Sequence, residues 1–186
     1  MLFFYLVIVI LVREDVTVDK KVAELLNDQI NKELYSAYLY LDMANFYDEK
    51  GLDGFANWYE IQAKEEQDHA MLIYQYLHNN NEKVVLEAVA KPDKTFTTLL
   101  DPLTAGLVHE QYVTSLINNI YAAAQEAKDF RTTQFLDWFI KEQGEEEKNS
   151  SDQITKMELF GDDARSLYML NEELKGRVYS APSLVL

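Results

Sequence analysis

No cysteine occurs in the 186 residues, which removes disulfides, thiolate chemistry, iron–sulfur clusters and cysteine-ligated zinc or rubredoxin-type modules together. Any metal the chain binds must be held by oxygen and nitrogen. Only three prolines and six glycines punctuate it. That is too few for the turns of a sheet protein, and points to long uninterrupted helices in an all-α fold. Basic residues are scarce as well: 17 Lys and Arg stand against 32 Asp and Glu, a formal net charge of −15. Without a basic cluster to neutralise phosphates, the composition argues against nucleic acid as a partner. The acidity suits cations and solubility, and the length suits one domain with a sizeable core.

The one long apolar run, residues 1–12, meets Arg13, Glu14 and Asp15 at once. It is too short to span a bilayer comfortably, so no stable membrane insertion is expected. It also lacks the basic start and the small-residue cleavage site of a signal peptide. A third reading agrees best with the helical pattern, which begins only near Asp19: Val16 or Val18 is the initiator, from a GTG start codon, and the apolar stretch is a gene-model artefact. Residues 1–15 are therefore set apart as an extension, signal-like or artefactual. Residues 16–186 form the folded domain, and a cytoplasmic location is expected.

The stretch 54–80 organises the rest. At helical spacing Phe55, Tyr59, Gln62, Glu66, His69, Ile73 and Tyr76 fall on one face. A core face should carry no charge, yet Glu66 and His69, three apart, project to the same side and can hold one ion between them. A lone E-x-x-H pair also arises on ordinary helix surfaces, so the other helices must decide.

With Asp19 as N-cap, the series Val22, Leu26, Ile30, Glu33, Ala37, Tyr40, Ala44 and Tyr47 predicts a first helix running to about Lys50. Glu33 stands where Leu or Ile is expected. Gly51 and Gly54 break the chain, so the helix over 54–80 returns antiparallel. Residues 83–101 have no helical stripe and suit a crossover along the length of a bundle. Asp101 as cap and Pro102 at the first helical position open a third helix with Leu103, Gly106, Glu110, Val113, Ile117, Ile120 and Ala124 inward. A fourth, from near Arg131, turns Leu136, Phe139, Gln143, Glu146, Ser150, Gln153 and Met157 inward. After a break at 161–163, a short helix over about 164–176 precedes an extended tail. The architecture expected is a four-helix bundle in up-down-down-up order, with a long crossover between its second and third helices and a short fifth helix.

Four inward stripes each offer a carboxylate, and none offers a Lys or Arg. Burying Glu33, Glu66 and Glu110 uncompensated would cost roughly several kcal/mol apiece, so bound cations are the natural compensation. Carboxylate oxygens with a little imidazole suit iron or manganese, and a Glu able to bridge makes a two-metal site feasible.

The segments NKELYSAYLYLDMANFY, QAKEEQDHAM, VHEQYV and FLDWFIKEQGEEEK resemble the corresponding motifs of the non-haem bacterial and archaeal ferritins, from about Val18 to the short last helix. Ferritin-like di-metal bundles in general draw a Glu from each of two helices and Glu-x-x-His from each of the others. Here Gln143 and Glu146 depart from that pattern on the fourth helix, which separates the chain from bacterioferritin and rubrerythrin. The resemblance implies a ferroxidase centre in which Glu33, Glu66, His69 and Glu110 hold two irons, Glu66 bridging and Gln143 beside the second. It implies a third iron site at Glu65, Glu142, Glu145 and Glu146. Tyr40 and Trp138 occupy the places of aromatic residues that can supply an electron during oxygen reduction, and simple core packing accounts for them equally well. Bacterioferritin carries its haem-ligating Met where this chain has Gln67, so no haem is expected. His78 and His109 read as surface or loosely packed groups.

The function implied is an iron-storage ferritin that oxidises Fe(II) with dioxygen and stores Fe(III) as mineral inside a homo-oligomeric cage of about 24 subunits. The alternative is a ferritin-like assembly that sequesters metal without oxidising it. A third possibility, a di-iron oxygenase acting on an organic substrate, would need a pocket that the tight stripes do not suggest. Expression from Val18 is expected to yield a soluble assembly, checked by light scattering against the full chain. Insolubility of the shortened protein alone would assign the apolar extension a structural part.

Overall fold

The structure is a computed structural model describing residues 18–186, and the extension assigned to residues 1–15 lies outside the described residues. Five helices follow in order: α1 (Lys20–Asp48), α2 (Asp53–Asn79), α3 (Leu100–Glu126), α4 (Phe130–Phe160) and α5 (Ala164–Lys175), with no strand among the described residues. Asp19 caps α1 as expected, its carboxylate accepting from the N–H groups of Lys21 at 2.9 Å and Val22 at 3.3 Å. The turn into α2 places Gly51 at φ 73°, a backbone conformation that glycine reaches without penalty.

The crossover from α2 to α3 is pinned along α1 by two asparagines. Asn27 donates to the Lys83 carbonyl at 3.1 Å and accepts from the Val85 N–H at 2.7 Å, while Asn31 donates to the carbonyls of Glu87 and Ala88. These side chains satisfy backbone groups that the irregular segment cannot pair within itself.

The start of α3 differs from the expected cap. The helix begins at Leu100, so Asp101 lies inside it and reaches back, accepting from the backbone N–H groups of Thr97 and Thr98 and from both hydroxyls at 2.6–2.9 Å. Thr98 and Asp101 form the reciprocal half of a capping box, which moves the onset ahead of Pro102.

Every residue expected inward on α1, α2 and α3 is buried, and on α4 all but Ser150, which is half-buried. The core divides in two. One apolar layer gathers Val22, Leu26, Ile30, Ile73, Leu77, Ile117, Ile120, Leu136 and Phe139. The other, richer in tyrosine, gathers Tyr40, Met43, Tyr47, Phe55, Tyr59, Leu103, Met157 and Leu170. Between them runs a buried polar waist of Gln29, Glu33, Gln62, Glu66, His69, Glu110, Gln143 and Glu146. No described helix is long and apolar enough to cross a membrane.

α5 docks on the start of α2 and supplies what that helix lacks. Leu52, at the N-cap, offers no side-chain acceptor, and the Asn171 Oδ1 accepts instead from the N–H groups of Gly54 at 2.8 Å and Phe55 at 3.3 Å. Asn171 also donates to Asp53 at 2.9 Å, and Lys175 pairs with the same carboxylate at 2.6 Å. This approach requires glycine, since a Cβ on residue 54 would sit 1.7 Å from the Asn171 carbonyl oxygen. Gly54→Ala is expected to cost about 1–3 kcal/mol by overpacking. Gly144→Ala, where an added Cβ meets nothing within 4 Å in the middle of α4, should gain about 0.5–1 kcal/mol. Thermal unfolding of the two variants reads the opposite signs.

Candidate metal centre

Each side chain of the waist is delivered by a helix whose neighbouring turns are apolar. Leu26, Ile30, Ala37 and Tyr40 bury the α1 face on which Glu33 sits, and Ile73 and Tyr59 do the same for Glu66 and His69. Packing therefore forces the carboxylates inward at 1–4% exposure. Glu33, Glu66 and His69 come together so that one ligand atom from each lies within 4.8 Å of the others. The His69 Nδ1 stands 3.6 Å from Glu66 Oε2, and its ring is held edge-on by Trp138 and Phe139 at 5.5 and 5.9 Å between centroids.

Glu110 sits across from this trio in a frame of neutral donors. The Tyr40 hydroxyl donates to its Oε1, and the Gln143 amide donates to its Oε2 at 3.1 Å, with the Glu110 carbonyl and Thr114 hydroxyl each 3.3 Å from the same nitrogen. Glu146 accepts from Gln62 at 2.7 Å, and Glu33 Oε1 accepts from Gln29 at 2.9 Å. Two oxygens remain without a partner, Glu33 Oε2 and Gln62 Oε1. An unpaired carboxylate oxygen in a dry interior is costly, and a cation among these donors would satisfy it. The all-oxygen and imidazole set fits iron or manganese.

Electrostatics agree. Burial pushes the Glu33 carboxyl well above the ordinary range, with Glu66 adding repulsion and His69 and Gln29 opposing. Glu66 is raised by burial, then by Glu110 and Glu146. Glu110 is raised by burial against the pull of Tyr40 and Gln143. Glu146 is pushed up to about 8, first by burial and then by Glu110. These groups repel one another and hold protons until something more positive replaces them.

The residues expected at a third site are more dispersed. Glu146 is buried, whereas Glu65 is paired with Arg177 at 2.6 Å. Glu142 lines a small cavity together with Glu65, His69 and Trp138. Glu145 faces out, 59% exposed and 3.4 Å from Lys141. His109 is not the loosely held surface group expected: its Nε2 lies 2.7 Å from the Ser36 hydroxyl, and burial lowers its pKa to about 4. His78 is exposed, beside Tyr74. The Gln67 amide donates to the Ala63 carbonyl at 3.1 Å, on its own helix. Gln29 and Arg177 escaped the sequence reading. The first could have been found as an amide one turn before Glu33, and the second had no local signal.

A family model for the ferritin-like domain matches residues 23–160. A bacterial non-heme ferritin of Staphylococcus saprophyticus is 38% identical over 161 residues, 87% of this chain and 96% of that protein. Its counterpart in Staphylococcus haemolyticus is 38% identical over 160 residues, 86% and 96% of the two chains. Among solved structures, an engineered closed form of the Archaeoglobus fulgidus ferritin superposes with a TM-score of 0.86 at 40% identity, covering 88% of this chain and all of the other. The open-pore ferritin of the same archaeon gives 0.85 at 40% identity, covering 88% and 99%.

The raised carboxyls set a sign for pH. Each favours the folded state while protonated, so in the metal-free protein their contribution is fully present below the ordinary value of 4.5 and is lost as pH rises to about 8, the value for Glu146. Thermal unfolding of chelator-treated protein between those limits should show a falling midpoint, and Glu146→Gln should flatten the fall.

Proposed function

Because this chain belongs to the ferritin family, we propose that it is an iron-storage protein whose buried waist oxidises Fe(II) with dioxygen before the product is stored. The observation that carries the reading is the buried trio Glu33, Glu66 and His69, with one ligand atom from each within 4.8 Å of the others and Glu33 Oε2 without a hydrogen-bond partner. In this reading Glu33, Glu66, His69 and Glu110 receive a pair of ferrous ions, Glu66 between them and Gln143 beside the second. Iron is the substrate, and it contributes the electrons that dioxygen accepts. The protein contributes proximity, since one dioxygen must reach both ions at once. Neutral donors to Glu110 keep its oxygens aimed without competing in charge. Protons held on the buried carboxyls leave as ferrous ions arrive, which couples loading to pH.

In the same reading Tyr40 supplies an electron to the reaction, which its hydrogen bond to Glu110 supports. Glu65, Glu142, Glu145 and Glu146 form a third iron site, for which Glu145 must turn from Lys141. The subunits close into a hollow cage of about 24 copies, with part of the −15 charge turned inward to concentrate iron. The location proposed is cytoplasmic, and no haem is assigned.

Glu66→Ala and His69→Ala should each slow rapid oxidation by about 100-fold, because a misplaced ion cannot share the oxygen. Glu146→Ala should leave the first fast phase, about two irons per subunit, while altering later turnovers. Stopped-flow ultraviolet absorbance with oxygen consumption after aerobic Fe(II) addition reads both. Normal oxidation by His69→Ala would overturn this division of the ligands, and no oxidation by the unaltered protein would favour passive sequestration instead.

A further inference from the structure

Beyond α5 the chain doubles back across the seam between α2 and α4. Asn57 fastens the turn, its amide donating to the carbonyls of Leu174 and Arg177, both at 3.1 Å. Arg177 then lies against α2. Its guanidinium donates to Glu65 at 2.6 Å and to the Trp58 carbonyl at 3.1 Å, and stacks 4.0 Å over the Trp58 ring. Farther on, the Tyr179 hydroxyl donates to Asp68 at 2.6 Å and the Trp138 indole donates to Ser183 at 3.0 Å. Between this strap and the helices lies a cavity of about 220 Å³, walled by Glu65, His69, Trp138 and Glu142 on one side and by residues 180–183 on the other. At roughly 30 Å³ per water, it has room for a hydrated ion.

Two carboxylates face this cavity, and only one is neutralised. Glu65 has Arg177, both side chains 19% exposed, while Glu142 has no ion pair among the described residues. A divalent ion held between them would draw on the Glu65 carboxylate, which the guanidinium already engages through Oε2. Both cannot hold it at full strength. Once the Arg177 side chain leaves, Asn57 still holds the backbone at 174–177 and Leu184 still packs on the core. The stretch between them keeps only the exposed contacts at Tyr179 and Ser183, each a weak anchor.

We propose that Arg177 stands in for a metal ion at Glu65, so that loading the third site expels the guanidinium and loosens the C-terminal strap between residues 177 and 183. The proposal rests on the third site described under the function above. The strap makes that site the last to fill and couples its filling to opening of the side cavity beside His69.

The test uses the full-length metal-free assembly and Zn(II), which is redox-inert and fits oxygen and nitrogen ligands. A Trp138→Phe background leaves Trp58 as the sole tryptophan, since the chain has two. Because Trp138 also anchors the strap at Ser183, the calorimetry is run with Trp138 in place as well. Calorimetry counts zinc per subunit while fluorescence follows Trp58. The expected result is a paired-site phase without fluorescence change, then a weaker zinc accompanied by one. Arg177→Ala should bind that last zinc about tenfold more tightly and lose the fluorescence step. Arg177→Gln, which keeps the length and a donor for the Trp58 carbonyl, should tighten it likewise if the alanine variant assembles poorly. Unchanged affinity in both variants would overturn the proposal and make the latch purely structural. Binding that stops at the paired site in every protein would overturn it differently, by removing the third site on which it rests.

Discussion

Four carboxylates buried in one apolar bundle are the constraint from which the rest follows. Glu33, Glu66, Glu110 and Glu146 are nearly inaccessible, and apart from His69 beside Glu66 the ion pairs of the described residues all lie elsewhere. Such a cluster is unfavourable when ionised and dry, so it persists only because the layers above and below are strongly apolar. Leu26, Ile73, Ile117 and Leu136 on one side, and Tyr47, Phe55, Tyr59 and Met157 on the other, drive the helices together. The waist is carried inward whether or not it is neutralised. Stability and function are thus opposed within one cross-section, a common arrangement where a site needs displaced pKa values.

Amides mediate that opposition. Gln29, Gln62 and Gln143 each donate to a buried carboxylate, fixing its direction without cancelling its charge. A lysine in any of these places would neutralise the cluster and compete with an incoming cation. Gln143 shows the consequence most clearly, because one nitrogen lies within reach of the Glu110 side chain, the Glu110 carbonyl and Thr114. It orders α3 against α4 at the level where the ligands sit.

Much of this was legible in the chain because helical periodicity is a strong signal over stretches of 27 to 31 residues. Glutamates interrupting apolar stripes at Glu33, Glu66 and Glu110 identified the waist before any coordinates, and Asp19 marked the start of α1. The onset of α3 was misplaced because Asp101 caps Thr98 rather than itself opening the helix, a reciprocal geometry that residue identity alone does not reveal. His109 was misread because its burial comes from Ser36, Tyr35 and Tyr40 on another helix. The tail carried no signal at all. Arg177 meets Glu65 across a separation of 112 residues, and no periodic pattern records such a pairing. Glu145, assigned to a third site by the resemblance, faces out beside Lys141.

The clip between Asn171 and the first turn of α2 has a consequence for the order of events during synthesis. The N–H groups of Gly54 and Phe55 obtain their acceptor from a residue more than a hundred positions later. A nascent chain emerging from the ribosome can pair α1 with α2, but the beginning of α2 stays frayed until the last helix has cleared the exit tunnel. Completion of the subunit is therefore signalled at its most distant helix end, and a chain truncated before α5 carries an exposed, uncapped helix start that marks it as unfinished.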